Sequence, residues 1–204
     1  MLPPLITLSA RDLRTVVAER GWLNDEVVNC YLQLLTRQPD ASCDALSSFF
    51  LPKLLGHGYD YAAVRRWTRR LPRPLLHHAL VLVPVNHGNT HWSLLAVRPQ
   101  SRRIEHFDSL PGASHRRLLA VLARYLQDEA ADKATPGDWH RWQLVERPER
   151  VPSQGDAYAC GVFICAFAAR LVAGWPLAVA QKDVPRLRRR IAAECVAGRA
   201  MPLE

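Results

Sequence analysis

The sequence predicts an α+β fold whose strands are gathered in the middle of the chain. Short apolar runs at close spacing between residues 80 and 108 are typical of an antiparallel meander. The segments before and after this region carry apolar residues at helical spacing. The 204 residues, 49% of them hydrophobic, suffice for one sizeable core. We therefore expect one domain over residues 1–204.

Two helices are predicted near the start of the chain. In "LSARDLRTVVAERG", Ser9 is a plausible N-cap with Asp12 three residues on, and Gly21 is expected to stop the helix. In "WLNDEVVNCYLQLL", apolar residues recur at helical spacing, and Asn24 or Asp25 can cap the helix.

The next segment is predicted to be irregular. Residues 36–60 show no clear period, and "AAVRRWTRRL" predicts a short helix. Prolines and glycines interrupt this part of the chain, and we expect them to end its helices and strands: Pro39, Pro52, Gly56, Gly58, Pro72 and Pro74.

The central strands are "ALVLVPV", "HWSLLAVRP" and "IEHFDSL", which the turn-like "NHGNT" and "QSRR" separate. An amphipathic helix, "HRRLLAVLARYLQDEA", and a further strand in "DWHRWQLVE" follow. "ERPERVPSQGDAYA" reads as a loop. "CGVFICAFAARLVAG" is apolar almost all round and predicts a central helix that ends at Gly174. "VPRLRRRIAAECVAG" predicts a last, basic helix.

Charge and cysteine usage narrow the class of protein. The net charge of +8 comes in short scattered arginine clusters without interleaved aromatics, which argues against nucleic-acid binding as the main function. The five cysteines form no CxxC pair and favour a reducing compartment over a disulfide scaffold or a zinc ribbon. We find no apolar stretch of transmembrane length and no secretory signal, so we expect no membrane partner.

The passage "QGDAYACGVFIC", residues 154–165, places Cys160 at the start of the central helix. A helix N-terminus and a nearby imidazolium can lower a thiol pKa from about 8.5 to as little as ~3.5, which makes the sulfur a nucleophile. The alternative is a core cysteine, since free cysteine is among the most buried residue types.

A cysteine nucleophile needs a base and a group that orients the base. Of the eight histidines, His91 stands at the start of a strand, and Asp108 ends the next strand, so an antiparallel neighbour could bring the two together. His77 and His78 precede a strand and are expected to be solvated. From spacing alone, a Cys-His-Asp triad and an unrelated trio of residues both remain open.

Six segments of the chain, in order, resemble the catalytic domain of the sentrin-specific proteases, the SUMO-processing family of cysteine peptidases. The resemblance runs from about residue 5 to residue 198. It is carried by "WLNDEVVNCYLQLL", "FFLPKL" with "GYDYAAVRRWT", "VLVPVN" with "HWSLLAV" and "IEHFDSL", "YLQDEA", "QGDAYACGVFICAFA" and "VPRLRRRIAAEC". It implies a fold related to papain-like cysteine proteases. In that fold a central, mostly antiparallel sheet is flanked by helices, and the nucleophile lies at the N-terminus of a buried helix.

The resemblance also implies roles for four residues. Cys160 matches the nucleophile, and His91 matches the general base and later acid. Asp108 matches the residue that orients the histidine. Gln154 matches an oxyanion donor that works with the backbone N–H of Cys160.

Four further residues match substrate-binding positions. Trp22 and Trp92 match two tryptophans that flank a Gly-Gly tail, which fits a slot too narrow for a Cβ. The alternative for both is a core anchor. Asp25 and Arg66 match positions that pair with charges on the globular body of the modifier. Their alternatives are helix capping and solvated charge.

The implied function is a cysteine protease that cleaves after the Gly-Gly of SUMO, in conjugates or in precursors. The expected partners are SUMO or another ubiquitin-like modifier and its conjugates, and we expect a monomer that needs no metal and no organic cofactor. The same chemistry on ubiquitin, an acetyltransferase with a related Cys-His-acid arrangement, and a non-catalytic binding module are the alternatives. Tyr158-Ala159 replaces the acidic or serine-acidic pair usual before the nucleophile. We expect an intracellular location, nuclear or cytoplasmic, or a host cell for a secreted effector.

Overall fold

A computed structural model describes residues 5–37, 42–71, 73–110, 112 and 114–203, so the punctuation predicted at Pro39 and Pro72 lies outside the described residues. Helix α1 spans Ala10–Val17, and Ser9 and Asp12 form the expected capping box. Its end differs from the prediction, because Ala18, rather than Gly21, closes the helix in an extended conformation. A Cβ on Gly21 would lie 2.4 Å from the Thr15 carbonyl oxygen, so this glycine allows a close return of the chain.

Helix α2 spans Asp25–Thr36, and the side chain of Asn24 caps it by accepting the Val27 N–H at 3.1 Å. Strand β1, Cys43–Ala45, and helix α3, Phe50–Leu55, follow within the segment predicted to be irregular. The short helix predicted in "AAVRRWTRRL" is instead a series of turns that ends in a 3₁₀ helix at Trp67–Arg70.

The sheet contains five strands in the order β1-β2-β3-β4-β5. The predicted meander is present as β2 (Leu80–Asn86), β3 (Trp92–Arg98) and β4 (Arg103–Phe107), which pair antiparallel. The two short edge strands, β1 and β5 (Gln143–Val145), each pair in parallel with the neighbouring strand.

The remaining helices agree with the prediction. Helix α4 spans Arg116–Asp132, α5 spans Cys160–Ala173 and α6 spans Val184–Ala197. Gly174 closes α5 in the left-handed conformation at φ 68°, which glycine adopts without a steric penalty.

Each face of the sheet packs against its own hydrophobic core, because neighbouring strand residues point to opposite faces. Leu94 of β3 packs with α2, α5 and α6 in one cluster, whereas its neighbour Leu95 packs with α3 and α4 in the other. Successive strand residues point to opposite faces, so helices cover both faces of the sheet. The start of β3, the end of β4 and the start of α5 meet at one edge of these layers, and the candidate site lies there.

Among the described residues, no helix is long and apolar enough to cross a membrane.

Candidate active site

His91 and Asp108 lie side by side because of the strand pairing. His91 immediately precedes β3, Asp108 immediately follows β4, and the antiparallel register pairs Leu94 with Phe107. The Nε2 atom of His91 lies 2.7 Å from Oδ1 of Asp108. The same carboxylate oxygen accepts the Leu110 N–H at 2.8 Å, which fixes its orientation.

The charges at this pair favour a protonated imidazole. Burial opposes the charged ring, but hydrogen bonds and negative charge from Asp108 and Cys160 outweigh it and raise the pKa of His91 to about 9. Burial likewise opposes the Asp108 carboxylate, yet the His91 hydrogen bond and the Leu110 N–H hold its pKa below the ordinary value.

The thiol of Cys160 lies on the other side of the His91 ring, where it contributes to the raised pKa of that ring. The Nδ1 atom of His91 is buried, and among the described residues it has no hydrogen-bond partner. Because Nε2 faces Asp108, Nδ1 is the ring nitrogen left for the thiol. Cys160 is the first residue of α5 and only 1% exposed.

The loop before the nucleophile is held by Asp156. Its Oδ1 accepts the N–H groups of Tyr158 at 3.0 Å and Ala159 at 2.8 Å, and its Oδ2 accepts Nε2 of Gln181 at 2.6 Å. These bonds satisfy the N–H groups immediately before the helix. Because the first N–H groups of a helix have no acceptor within it, the Cys160 N–H remains suited to an incoming oxyanion.

Gln154 is buried, and its side-chain amide is already oriented. Its Oε1 accepts the Ser109 hydroxyl at 2.6 Å, and its Nε2 donates to the Asp156 carbonyl at 2.7 Å. A side-chain amide has two N–H donors, so one N–H remains for a further acceptor.

The two tryptophans differ in exposure. Trp22 is 39% exposed, which contradicts its interpretation as a core anchor, whereas Trp92 is 3% exposed and donates Nε1–H to the Leu23 carbonyl at 2.8 Å. A Cβ on Gly161 would lie 2.9 Å from Cβ of Leu23 and 3.4 Å from Cδ1 of Trp92. Trp92 therefore fixes the segment carrying Trp22 against the start of α5.

A buried arginine joins the same segments from behind. Arg188 of α6 donates to the carbonyls of Val16 at 3.1 Å, Gly21 at 2.6 Å and Tyr158 at 3.5 Å. The guanidinium thus links the end of α1, the residue before Trp22 and the loop before the nucleophile.

Asp25 and Arg66 have different surroundings. Asp25 accepts the Ser48 hydroxyl at 2.7 Å and Nδ2 of Asn86 at 3.3 Å, so it already ties α2 to the end of β2. Arg66 is exposed and lines a cavity of about 630 Å³ together with Asn29, which hydrogen-bonds Ser48 at 3.0 Å. The two residues therefore border neighbouring surfaces.

A second group of polar side chains beside the site was not expected from the sequence. His87, His106 and His115 lie close together, and the hydroxyl of the buried Ser93 lies 2.7 Å from Nε2 of His87 and 2.9 Å from Nε2 of His106. The one local signal was the alternation of Ser93 and His106 with core residues on adjacent strands. The prediction that His78 is solvated is wrong, because the residue is 0% exposed.

A thiol at the start of a buried helix, facing an imidazole held by a carboxylate on the adjacent strand, is the arrangement of a cysteine peptidase. Residues 21–199 match the model of the Ulp1 protease family, C-terminal catalytic domain. The chain belongs to this family.

Two curated relatives and one solved structure illustrate the similarity. Ubiquitin-like-specific protease ESD4 of Arabidopsis thaliana is 36% identical over 190 residues, which cover 88% of this chain and 38% of that protein. Sentrin-specific protease 2 of Rattus norvegicus is 34% identical over 178 residues, 83% of this chain and 29% of that protein. The chain thus spans well under half the length of these two relatives.

The solved structure is that of the C-terminal Ulp1 protease domain in complex with Smt3, the yeast ortholog of SUMO. It superposes with a TM-score of 0.83 at 28% sequence identity and covers 97% of this chain and 86% of that one. The similarity confirms the predicted α+β fold with helices on both sides of the sheet.

Proposed function

We propose that the chain is a cysteine peptidase that cleaves after the C-terminal Gly-Gly of SUMO, in conjugates, in precursors or in both. The observation that carries the proposal is the 2.7 Å contact between His91 and Asp108, with the Cys160 thiol against the same ring. Relatives whose names specify sentrin and ubiquitin-like modifiers support the choice of substrate.

The chemistry proceeds through an acyl-enzyme. The sulfur of Cys160, its proton passed to His91, attacks the carbonyl carbon of the second glycine and forms a C–S bond. The C–N bond between that carbon and the leaving amine then breaks. His91 gives its proton to the leaving amine, either a lysine side chain or an α-amine. Water, deprotonated by His91, then hydrolyses the thioester and restores the thiol. Asp108 holds the ring in place and stabilises its protonated form.

The oxyanion is stabilised by two donors that are in place before substrate binds. The Cys160 N–H begins a helix, and Gln154 has one amide N–H left over. Donors fixed in advance need no reorganisation when negative charge develops on the carbonyl oxygen.

The Gly-Gly tail is proposed to lie against the exposed ring of Trp22. Trp92 forms the buried part of the wall and sets the position of Trp22 through Leu23. A residue with a side chain would have to displace one of these rings, so glycine is favoured beside the thiol.

Contacts with the body of the modifier are assigned to Asp25 and Arg66. Arg66 is exposed and free to meet an acidic side chain, whereas Asp25 would have to share its carboxylate with Ser48 and Asn86. Tyr158, which replaces an acidic or serine residue near the nucleophile, adds a phenol beside the cleft and bears on the choice of modifier.

The other properties follow from the same proposal. We infer a monomeric catalytic domain over residues 1–204 that acts inside a cell, in the nucleus or the cytoplasm, or in a host cell if the protein is a secreted effector. The absence of CxxC pairs in the sequence supports a reducing compartment.

A panel of modifiers carrying a C-terminal electrophile tests the substrate directly. Labelling of Cys160 by the SUMO probe, blocked in Cys160→Ala, is the expected result. Labelling by the ubiquitin probe alone would overturn the SUMO assignment while keeping the chemistry. The Arg66→Glu variant is expected to slow labelling by SUMO, with Arg117→Glu, at an exposed position of α4, as the control.

Two alternatives have distinct outcomes. Incubation with acetyl-coenzyme A that acetylates Cys160 would favour a transferase. If no probe labels Cys160 although the modifier still binds, the result would favour a binding module.

A further inference from the structure

Three histidines outside the proposed catalytic group share one small volume. His87 follows β2, His106 belongs to β4 and His115 precedes α4, and each offers one ring nitrogen within 4.8 Å of the others. The ring centroids of His87 and His106 lie 5.0 Å and 4.4 Å from that of His115. The proteolytic mechanism uses none of the three.

We propose that His87, His106 and His115 form a binding site for Zn²⁺, and that the bound ion inhibits the peptidase. Three imidazoles with an open fourth position, completed by water, are an established ligand set for zinc. Tetrahedral coordination at about 2.0–2.1 Å places ligand nitrogens roughly 3.3 Å apart. The cluster therefore needs only a modest contraction, which side-chain rotation can supply.

The rings are held in place by partners of their own. The Ser93 hydroxyl contacts both His87 and His106, and the backbone of Glu146 is a further hydrogen-bonding partner of His106. The backbone partner of His106 can orient its ring for coordination, whereas a bound ion would replace Ser93 at the Nε2 atom of that ring. A serine hydroxyl donates only one hydrogen, so the two rings that it contacts cannot both act as acceptors toward it.

The surroundings of His87 and His106 favour the neutral form of both rings. Burial, together with repulsion from the neighbouring histidines, lowers the pKa of His87 and of His106 to about 4, so both are neutral near pH 7. Neutral imidazole is the metal-binding form of histidine.

An ion can reach the cluster through an adjoining cavity. A cavity of about 220 Å³ is lined by His106 and His115 together with Asp108 and Glu146. Two cluster histidines therefore face space large enough for a hydrated ion. The cavity is also lined by Arg147 and Arg150, which balance its two carboxylates, so the histidines and not the charge of the cavity would select the ion.

Inhibition follows from the distance to Asp108. The Nε2 atom of His115 lies 3.7 Å from Oδ2 of Asp108, while Oδ1 of the same carboxylate holds His91. A divalent cation bound beside this carboxylate competes with His91 for the oxygens of Asp108 and so weakens the contact that holds the His91 ring. The ion would thus act as a regulator and not as a cofactor, and its inhibitory effect rests on the proposed function.

The test measures binding and inhibition separately, on the full chain with ZnCl₂ as the probe. In calorimetric titration, we expect one site in the wild type and in Cys160→Ala, and binding at least tenfold weaker in His115→Gln. His140→Gln, which removes an exposed histidine outside the cluster, is the matched control and is expected to bind as the wild type does. Circular dichroism verifies that each variant is folded.

X-ray absorption of the zinc-loaded chain is expected to show nitrogen and oxygen ligands without a Zn–S distance near 2.3 Å. Loss of the site in Cys160→Ala, or a sulfur ligand, would place the ion on the catalytic thiol and overturn the proposal. Zinc is expected to slow cleavage at least tenfold, and to do so at a higher concentration in His115→Gln than in His140→Gln. Zinc binding at the cluster without inhibition would overturn the regulatory role alone. The binding measurement does not depend on which modifier is cleaved.

Discussion

The rings of His91 and His87 are stacked with their centroids 5.6 Å apart and their planes 24° apart, yet they favour opposite charge states. The pKa of His91 is raised to about 9, whereas that of His87 is lowered to about 4. Both residues are partly buried, so burial alone does not explain the difference.

The difference lies in the direct partner of each ring. His91 faces the Asp108 carboxylate at 2.7 Å, while His87 faces the neutral hydroxyl of Ser93 at 2.7 Å and further imidazoles. A negative partner in contact offsets the cost of burying a charged ring, and a neutral partner does not. The Asp108 carboxylate thus favours the charged form of His91, and the surroundings of Ser93 favour the neutral form of His87.

The largest effect is expected from removing the sulfur of Cys160, the proposed nucleophile. Cys160→Ala should lower kcat by roughly 10⁴-fold or more, because no other group forms the acyl-enzyme. Steady-state cleavage of a SUMO precursor measures this. Cys43→Ala, which removes a buried thiol from β1, should retain turnover, and equal losses in both variants would contradict the assignment.

Asp108→Asn gives His91 a neutral partner like that of His87. We expect kcat to fall by about 10³–10⁴-fold, as when an orienting aspartate is made neutral in other triads. The alkaline fall of kcat/KM, set near pH 9 by His91, should move to lower pH because the carboxylate no longer stabilises the ring. An unchanged alkaline limb would show that Asp108 does not control the charge of His91.

Gln154→Ala removes the proposed oxyanion donor, whose hydrogen bonds go to Ser109 and Asp156 and not to either histidine. We expect kcat to fall by roughly 10²–10³-fold without a shift of the pH profile. Gln100→Ala, at an exposed position, is the control. A displaced pH profile in Gln154→Ala would mean that the amide acts through the charge of His91.

The smallest effect concerns stability toward acid. His87 and His106 have pKa values lowered to about 4 in the folded chain, below the ordinary 6.5, so the unfolded chain binds more protons between these values. Their contribution to stability is present above pH 6.5 and is lost as the pH falls through 4. Thermal melting from pH 7 to pH 4 should show Tm decreasing less in His106→Asn than in the wild type. Equal slopes would contradict the lowered pKa of His106.

The sequence alone was sufficient to place the residues whose neighbourhood follows from local patterns. Antiparallel alternation predicted that Asp108 would lie beside His91, and the apolar run after Cys160 predicted a helix beginning at the thiol. Both placements agree with the structure, while the catalytic roles remain predictions. Helix caps at Ser9 and Gly174 were likewise predicted because capping depends on a few adjacent residues.

Elements that depend on distant partners were not predictable in this way. Strand β1 has three residues and exists by pairing in parallel with the start of β2, far along the chain. Helix α3 contains Pro52, which was interpreted as a breaker but lies in the first turn, where a missing N–H costs no intrahelical bond. The histidine cluster was unpredictable for the same reason, since His115 contacts His106 only when α4 packs on the sheet.

The guanidinium of Arg188 has a consequence for the order in which the site is built during synthesis. It donates to carbonyls near Trp22 and next to the nucleophile, yet it belongs to α6, the last helix of the described chain. A nascent polypeptide therefore cannot lock its cleft until this arginine has left the ribosome and α6 has docked. Translation products that stop before α6 therefore lack the link between the segment before Trp22 and the loop before Cys160.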